Sequence, residues 1–140
     1  MRGTWAARGL SAQLYMARMR ANAKFTPTRL SIDSSKKTFE LQIWNNSTSS
    51  FQPEGGKQSL GSNVIYGYGS IATPAGAQTP IAQSTSVIFN SRGLPVTDTG
   101  APNGNYAIYL NNSGRFYAVS VSIVGQVETW TWSGSAWKPL

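Results

Sequence analysis

Apolar residues spaced three and four positions apart mark the first part of the chain. Ala7, Leu10, Leu14, Ala17 and Ala21 follow this spacing, which places them on one face of a helix. The intervening positions are rich in Ala, Met, Gln and Arg, which are strong helix formers. A proline at position 27 ends the segment, because the residue before a proline is disfavoured in the α region. The pattern therefore predicts a helix over about 7–24, within a helical segment 1–26.

After position 27 the pattern changes to strict alternation, which is typical of half-buried strands. Phe39, Leu41 and Ile43 are predicted to face inward and Glu40 and Gln42 outward, in a hairpin with 27–33 closed by a turn at 34–37. Further strands are predicted at 64–68, 85–90, 94–96, 106–110, 117–123 and 127–132, with loops at 45–56 and 72–84. The strand at 117–123 is predicted to direct four residues inward: Tyr117, Val119, Val121 and Ile123.

Together these elements predict an α+β protein, in which an N-terminal α-helix packs on antiparallel β-sheets. We expect the whole length, 1–140, to form a single domain with a β-rich body over 27–140.

Positive charge is concentrated in the helical segment. The net charge is +7, and six of the twelve basic residues precede the first acidic residue, Asp33. The rest of the chain holds six basic and five acidic residues and is nearly neutral. Arg18, Arg20 and Lys24 either complement the C-terminal end of the helix dipole or provide weak, sequence-independent contacts with nucleic acid.

The residue types needed for most enzyme sites are missing. The sequence has no histidine and no cysteine, which excludes Ser/His/Asp triads, Cys/His pairs and thiolate zinc sites. Its five acidic residues are scattered, and none of them forms a local pair. We therefore expect a protein without catalytic activity, and the sequence indicates neither a cofactor nor a metal ion.

Three tryptophans near the C-terminal end are a candidate ligand platform. Trp130 and Trp132 lie two positions apart on one strand face, and Trp137 follows closely. Exposed rings in this arrangement stack on sugars or on single-stranded nucleic acid. The alternative is structural, because tryptophans also cover the second face of a sheet or pack under a long loop.

The order of these segments resembles the type IV pilin-like proteins, in particular the minor pilins and pseudopilins of the GspH/FimT type. The segments that carry the resemblance are LYMARMRA at 14–21, TPTRL at 26–30, TFEL at 38–41, IFNSRGLP at 88–95 and AVSVSIVGQV at 118–127.

The resemblance implies a structural subunit of a type IV pilus or a type II secretion pseudopilus, which acts by assembly with other pilins or pseudopilins in a filament. It also implies a precursor with a prepilin leader and a hydrophobic helix half, processed and N-methylated by a prepilin peptidase. That precursor is anchored in the bacterial inner membrane before assembly, and the mature subunit works in the periplasm or at the cell surface. We expect the present chain to be the soluble half of such a subunit.

Two other functions are compatible with the sequence. The first is a DNA- or glycan-binding pilin-like module at a pilus tip. In the family that the chain resembles, one branch binds DNA during uptake through a C-terminal Gly-Arg-x-Arg motif. The corresponding stretch here, 125–128, reads GQVE and lacks both arginines, so the resemblance does not extend to this route of DNA binding. The second is an unrelated β-rich phage or surface structural protein.

The helix is also expected to act as the assembly element. Leu10, Leu14, Ala17 and Ala21 form a narrow stripe, which is sufficient to place one helix face on the sheet. Trp5, Ala6 and Met16 lie off that stripe and are predicted to meet neighbouring helices in a filament. Because Gly9 weakens the helix, residues before it are expected to project from the body.

Overall fold

One long helix precedes eleven short strands in the computed structural model, which describes residues 2–140. The helix, α1, spans Arg2–Lys24. The strands are β1 (Thr28–Asp33), β2 (Thr38–Asn45), β3 (Ser50–Pro53), β4 (Gln58–Ser59), β5 (Val64–Tyr66), β6 (Ser86–Phe89), β7 (Pro95–Val96), β8 (Tyr106–Asn112), β9 (Arg115–Val121), β10 (Val127–Trp132) and β11 (Trp137–Pro139).

The strands form two antiparallel sheets. The first sheet has the order β3-β2-β1-β6-β7, with β4 also paired to β2, and the second has the order β11-β10-β9-β8-β5. α1 contacts strands of both sheets. One hydrophobic core contains residues from the helix and from both sheets. The predicted α+β architecture, with a helix packed on antiparallel sheets, is therefore confirmed.

The predicted apolar stripe of α1 faces the sheets. Leu10, Leu14, Ala17 and Ala21 are all fully buried in the shared core. The hydroxyl of Thr28 donates a hydrogen bond of 2.7 Å to the carbonyl oxygen of Ala17, which joins the middle of the helix to β1. No second helix occurs between residues 2 and 140, and no helix in that range is long and apolar enough to cross a membrane.

The expectation that the residues before Gly9 project from the body is wrong. Gly3, Ala6 and Ala7 are buried, and Ala6 belongs to the shared core instead of a neighbour-facing surface. A Cβ atom on Gly3 would lie 2.3 Å from Cε2 of Tyr117, so the helix backbone approaches β9 closely. These small residues allow the first turns of α1 to pack closely on the second sheet. The low helix propensity of glycine does not by itself indicate such a contact.

The first hairpin has the predicted register. Leu30 pairs with Leu41, and both side chains face the core. Phe39 is also buried, while Glu40 and Gln42 are more exposed, as predicted.

Ile43 is an exception to the predicted pattern, because it is only half-buried. Its cross-strand neighbours are Thr28 and Gln52, so polar side chains replace the apolar partners that would enclose it.

Other strands also differ from the prediction. Tyr117, Val119 and Val121 are buried as expected, but Ile123 is 56% exposed. β9 ends at Val121, and the chain then turns through Gly125, whose φ of +88° favours glycine. Three short strands lie outside the predicted set: β3, which falls inside the predicted loop 45–56, β4, and β11 near the C-terminal end.

Candidate functional site

The face of α1 opposite the core carries exposed apolar side chains. Trp5 is 78% exposed, Met16 is 50% exposed and Met19 is 54% exposed. These residues share one helix face with Ala12 and Ala23, because the intervals between them are seven, four, three and four residues. Large exposed hydrophobic groups on one face are typical of a surface that contacts another protein.

Arg18 lies at the side of the helix, between its buried and exposed faces, and contacts two turns that contain Gly93 and Gly125. Its Nη1 atom donates a hydrogen bond of 2.9 Å to the carbonyl oxygen of Gly125. Gly93 lies beside it, and an added Cβ atom there would be 3.2 Å from the carbonyl oxygen of Arg18. The side chain therefore has a structural role in the contact between α1 and the loops after β6 and β9.

The three predicted nucleic-acid contacts do not form one patch. Arg20 forms a salt bridge with Glu54, with 3.3 Å between Nε and Oε2, and Lys24 is exposed. Residues 18 and 20 are separated by about 200° around a helix, so Arg18 and Arg20 lie on different sides of α1.

The C-terminal tryptophans lie on the outer face of the second sheet, against a long loop. The indole nitrogen of Trp130 donates to the hydroxyl of Ser120 at 2.9 Å, and that of Trp137 donates to the carbonyl oxygen of Thr73 at 2.8 Å. Trp132 contacts Trp137, with 5.1 Å between ring centroids. These contacts favour the structural interpretation of the tryptophans, and ligand binding there stays a prediction.

Tyr109 is the centre of the layer that these tryptophans cover. It is fully buried and belongs to a second small core with Ala75, Ala107 and Ala118. Its hydroxyl accepts a hydrogen bond from Ala75 N and donates one to Oε1 of Gln78. Burial raises the pKa of the Tyr109 hydroxyl above its ordinary value, which keeps it neutral as a donor.

Acidic residues do not converge on a metal-binding arrangement in the described part of the chain. Between residues 2 and 140, no three Asp, Glu, His or Cys side chains are grouped closely enough to hold a metal ion.

Comparisons with known proteins identify the same architecture. The profile of a family described as Type II transport protein GspH matches residues 6–125. Two solved structures of the minor pseudopilin EpsH from the type 2 secretion system of Vibrio cholerae are similar in fold. One has a TM-score of 0.66 at 10% identity and covers 94% of this chain and 98% of the other. The second has a TM-score of 0.63 at 12% identity and covers 91% and 95%. A search of curated protein sequences gave no significant match.

Proposed function

The chain belongs to the GspH family, whose members are structural pseudopilin subunits of the type II secretion system, and we propose that the exposed face of α1 carries its contacts with neighbouring pseudopilins. Such a subunit acts by assembly in a filament and not by catalysis. The observation that carries the proposal is the row of exposed apolar side chains opposite the buried stripe, represented by Trp5, Met16 and Met19.

The two faces of α1 have different contacts: one packs on the protein's own sheets and the other is exposed to solvent. Leu10, Leu14, Ala17 and Ala21 are enclosed by the protein's own sheets, so they have no surface left for a neighbour. Trp5 and Met16 keep at least half of their surface in solvent, where burial by a partner would be favourable. Methionine also adapts its shape easily to another protein surface.

Cross-linking from single engineered cysteines tests this surface, because residues 1–140 contain no cysteine. We would introduce Met16→Cys into the full-length subunit, in cells that carry its secretion machine, and attach a thiol-reactive photo-cross-linker. The expected result is a covalent adduct with another pseudopilin. The matched control is Thr48→Cys, an exposed position in the turn between β2 and β3.

A second variant tests the function of the same face. Met16→Asp combined with Met19→Asp places two charges in the proposed contact, and we expect secretion to fall at least about tenfold. The melting temperature of the isolated protein should change little, since both positions are exposed. Normal secretion together with adducts from Thr48→Cys alone would contradict the proposal.

Nucleic-acid binding is proposed to be weak at most. Two observations support this: Arg18 is bonded to Gly125, and Arg20 is paired with Glu54. Lys24 remains as an exposed cation, and a single phosphate contact contributes little affinity at physiological salt.

The proposal includes a periplasmic location for the subunit. It also includes a precursor that is anchored in the inner membrane through an apolar segment N-terminal to α1. Detection of the full-length precursor in the inner-membrane fraction, and of the processed subunit with the other pseudopilins, would test this part.

A further inference from the structure

A cavity of about 290 Å³ opens on the outer face of the first sheet, away from α1 and from the tryptophans of the second sheet. We call it the Arg29 cleft. Its lining includes Arg29, Trp44, Phe51, Ile88, Val96 and Asp98. Mostly apolar walls with a few polar groups are the usual composition of a site for a small ligand or a peptide end.

Arg29 is held in one orientation by its neighbours. Its Nε atom donates a hydrogen bond of 2.7 Å to Oε1 of Gln42, whose own amide nitrogen donates to Glu40 at 2.9 Å. The guanidinium group lies 4.3 Å from the ring centroid of Phe51, and that ring contacts Trp44 edge-on at 5.2 Å. An arginine ordered before binding loses less entropy when it pairs with a ligand.

Arg29 has no direct salt-bridge partner among residues 2–140. Gln42 occupies Nε, whereas the terminal nitrogens have no hydrogen-bond partner among residues 2–140, and no carboxylate in that range forms a salt bridge with them. A planar guanidinium with two free terminal groups is suited to bidentate pairing with a carboxylate.

The remaining lining restricts what can accompany that carboxylate. Trp44, Ile88 and Val96 offer apolar surface close to Arg29, so an apolar group adjacent to the charge would be buried. Asp98 is exposed at the rim and disfavours a second negative charge. The volume of about 290 Å³ is close to the lower limit for ligand pockets. So small a cavity has room for about one residue, which favours a ligand that carries its apolar group and its carboxylate on the same residue.

We propose that the Arg29 cleft binds the C-terminal residue of a partner protein, with its carboxylate on Arg29 and its apolar side chain against Trp44. A C-terminal residue carries both groups on one Cα atom, which fits the size of the cavity. This binding goes beyond filament assembly through α1, because the cleft lies on a different surface of the molecule.

Titration with two matched small probes tests the proposal by NMR. N-acetyl-leucine carries the carboxylate, and N-acetyl-leucinamide has the same shape without the charge. N-acetyl-leucine is expected to shift the indole N–H signal of Trp44 and the Nε–H signal of Arg29, with a Kd on the order of 1 mM for a ligand of this size. The amide should bind at least about tenfold more weakly, and the indole signal of Trp130 should not move.

Substitutions then assign the interaction to the charged groups. Arg29→Lys keeps the charge but loses the planar pair of N–H donors that a carboxylate can bind, so binding should weaken about tenfold. Arg29→Gln removes the charge as well and should abolish binding. Asp98→Asn should strengthen binding severalfold by removing the repulsion at the rim. Arg92→Gln is the control, because Arg92 is exposed outside the cleft lining and its loss lowers the net charge equally.

Three results would overturn the assignment. Equal affinity for the acid and the amide would mean that only an apolar cavity is present. Unchanged binding in both Arg29 variants would exclude the guanidinium group as the binding site for the carboxylate. If Arg29→Gln fails to fold, the effect of Asp98→Asn on the affinity still tests the charge of the cleft. Shifts at Trp44 with methyl glucoside but not with N-acetyl-leucine would identify a sugar site instead. None of these outcomes depends on whether α1 contacts other pseudopilins.

Discussion

The outer faces of the two sheets differ sharply, although both sheets pack their inner faces against the same helix. The second sheet is covered on the outside by the connection between β5 and β6, which buries Tyr109 and packs against Trp130 and Trp137. The outer face of the first sheet has an open cleft, where Trp44 and Phe51 are half-buried beside Arg29.

The comparison shows that aromatic residues at alternating positions do not by themselves identify a binding surface. Trp130 and Trp44 both lie on outward-facing positions of a strand, and each donates a hydrogen bond from its indole nitrogen. The difference is the partner, since Trp130 bonds to buried Ser120 whereas Trp44 bonds to exposed Asn46. A covering loop therefore decides whether a ring supports the fold or stays available for a ligand.

The largest expected difference between the two faces is in the cost of removing an aromatic ring. Tyr109→Ala should lower the free energy of unfolding by about 3–5 kcal/mol, because a fully buried ring is lost and Ala75 N and Gln78 lose their partner. The measurement is denaturant unfolding followed by circular dichroism.

Trp44→Ala is the matched change on the first sheet. Its ring is half-buried and no loop closes over it, so we expect a loss of about 1 kcal/mol. Equal losses for the two variants would show that the open face contributes as much stability as the covered one, and the comparison would fail.

A glycine in the covering loop provides a smaller and more specific test. Gly76 has a φ of +60°, and an added Cβ atom would lie 2.6 Å from Oγ of Ser120. Gly76→Ala should therefore destabilise the protein by about 2 kcal/mol, through both backbone strain and the close contact. Thermal unfolding measures the effect as a lower melting temperature.

Gly55→Ala separates the two causes. Gly55 precedes β4 near the first sheet, has a φ of +91° and has no atom within 4 Å of an added Cβ. Its substitution should lower the free energy of unfolding by about 1 kcal/mol, through backbone strain alone. If Gly76→Ala costs no more than Gly55→Ala, the loop is not fixed against the second sheet by this contact.

The parts of the fold that local pattern controls could be predicted from the sequence. Spacing of three and four residues located the buried stripe Leu10 to Ala21, and alternation located Phe39 and Leu41. These faces are fixed by the geometry of a helix and a strand, so no knowledge of distant residues is needed. The resemblance in segment order correctly indicated the GspH family.

Features that depend on distant partners could not be predicted. Gly3 is buried because it meets Tyr117, more than a hundred residues away, and no local pattern signals that contact. Phe51 lies in a segment with the composition of a loop, so the local pattern predicts neither β3 nor the stacking of Arg29 on Phe51. The Arg29 cleft joins strands and a loop that are far apart in sequence, whereas the tryptophans at the C-terminal end lie close together along the chain.

The smallest expected difference concerns the indole nitrogens of the two faces. Trp130→Phe keeps an aromatic ring but removes the donor to Ser120, whose hydroxyl is buried, and we expect a loss of about 1 kcal/mol. Trp44→Phe removes a donor to Asn46, which is exposed and can bond to water, so the loss should stay below about 0.5 kcal/mol. Guanidinium titrations of both variants, fitted with a common slope, resolve a difference of this size. A larger loss for Trp44→Phe than for Trp130→Phe would mean that the first sheet depends on its outer aromatic residues for stability, and the cleft would then have to be regarded as part of the core.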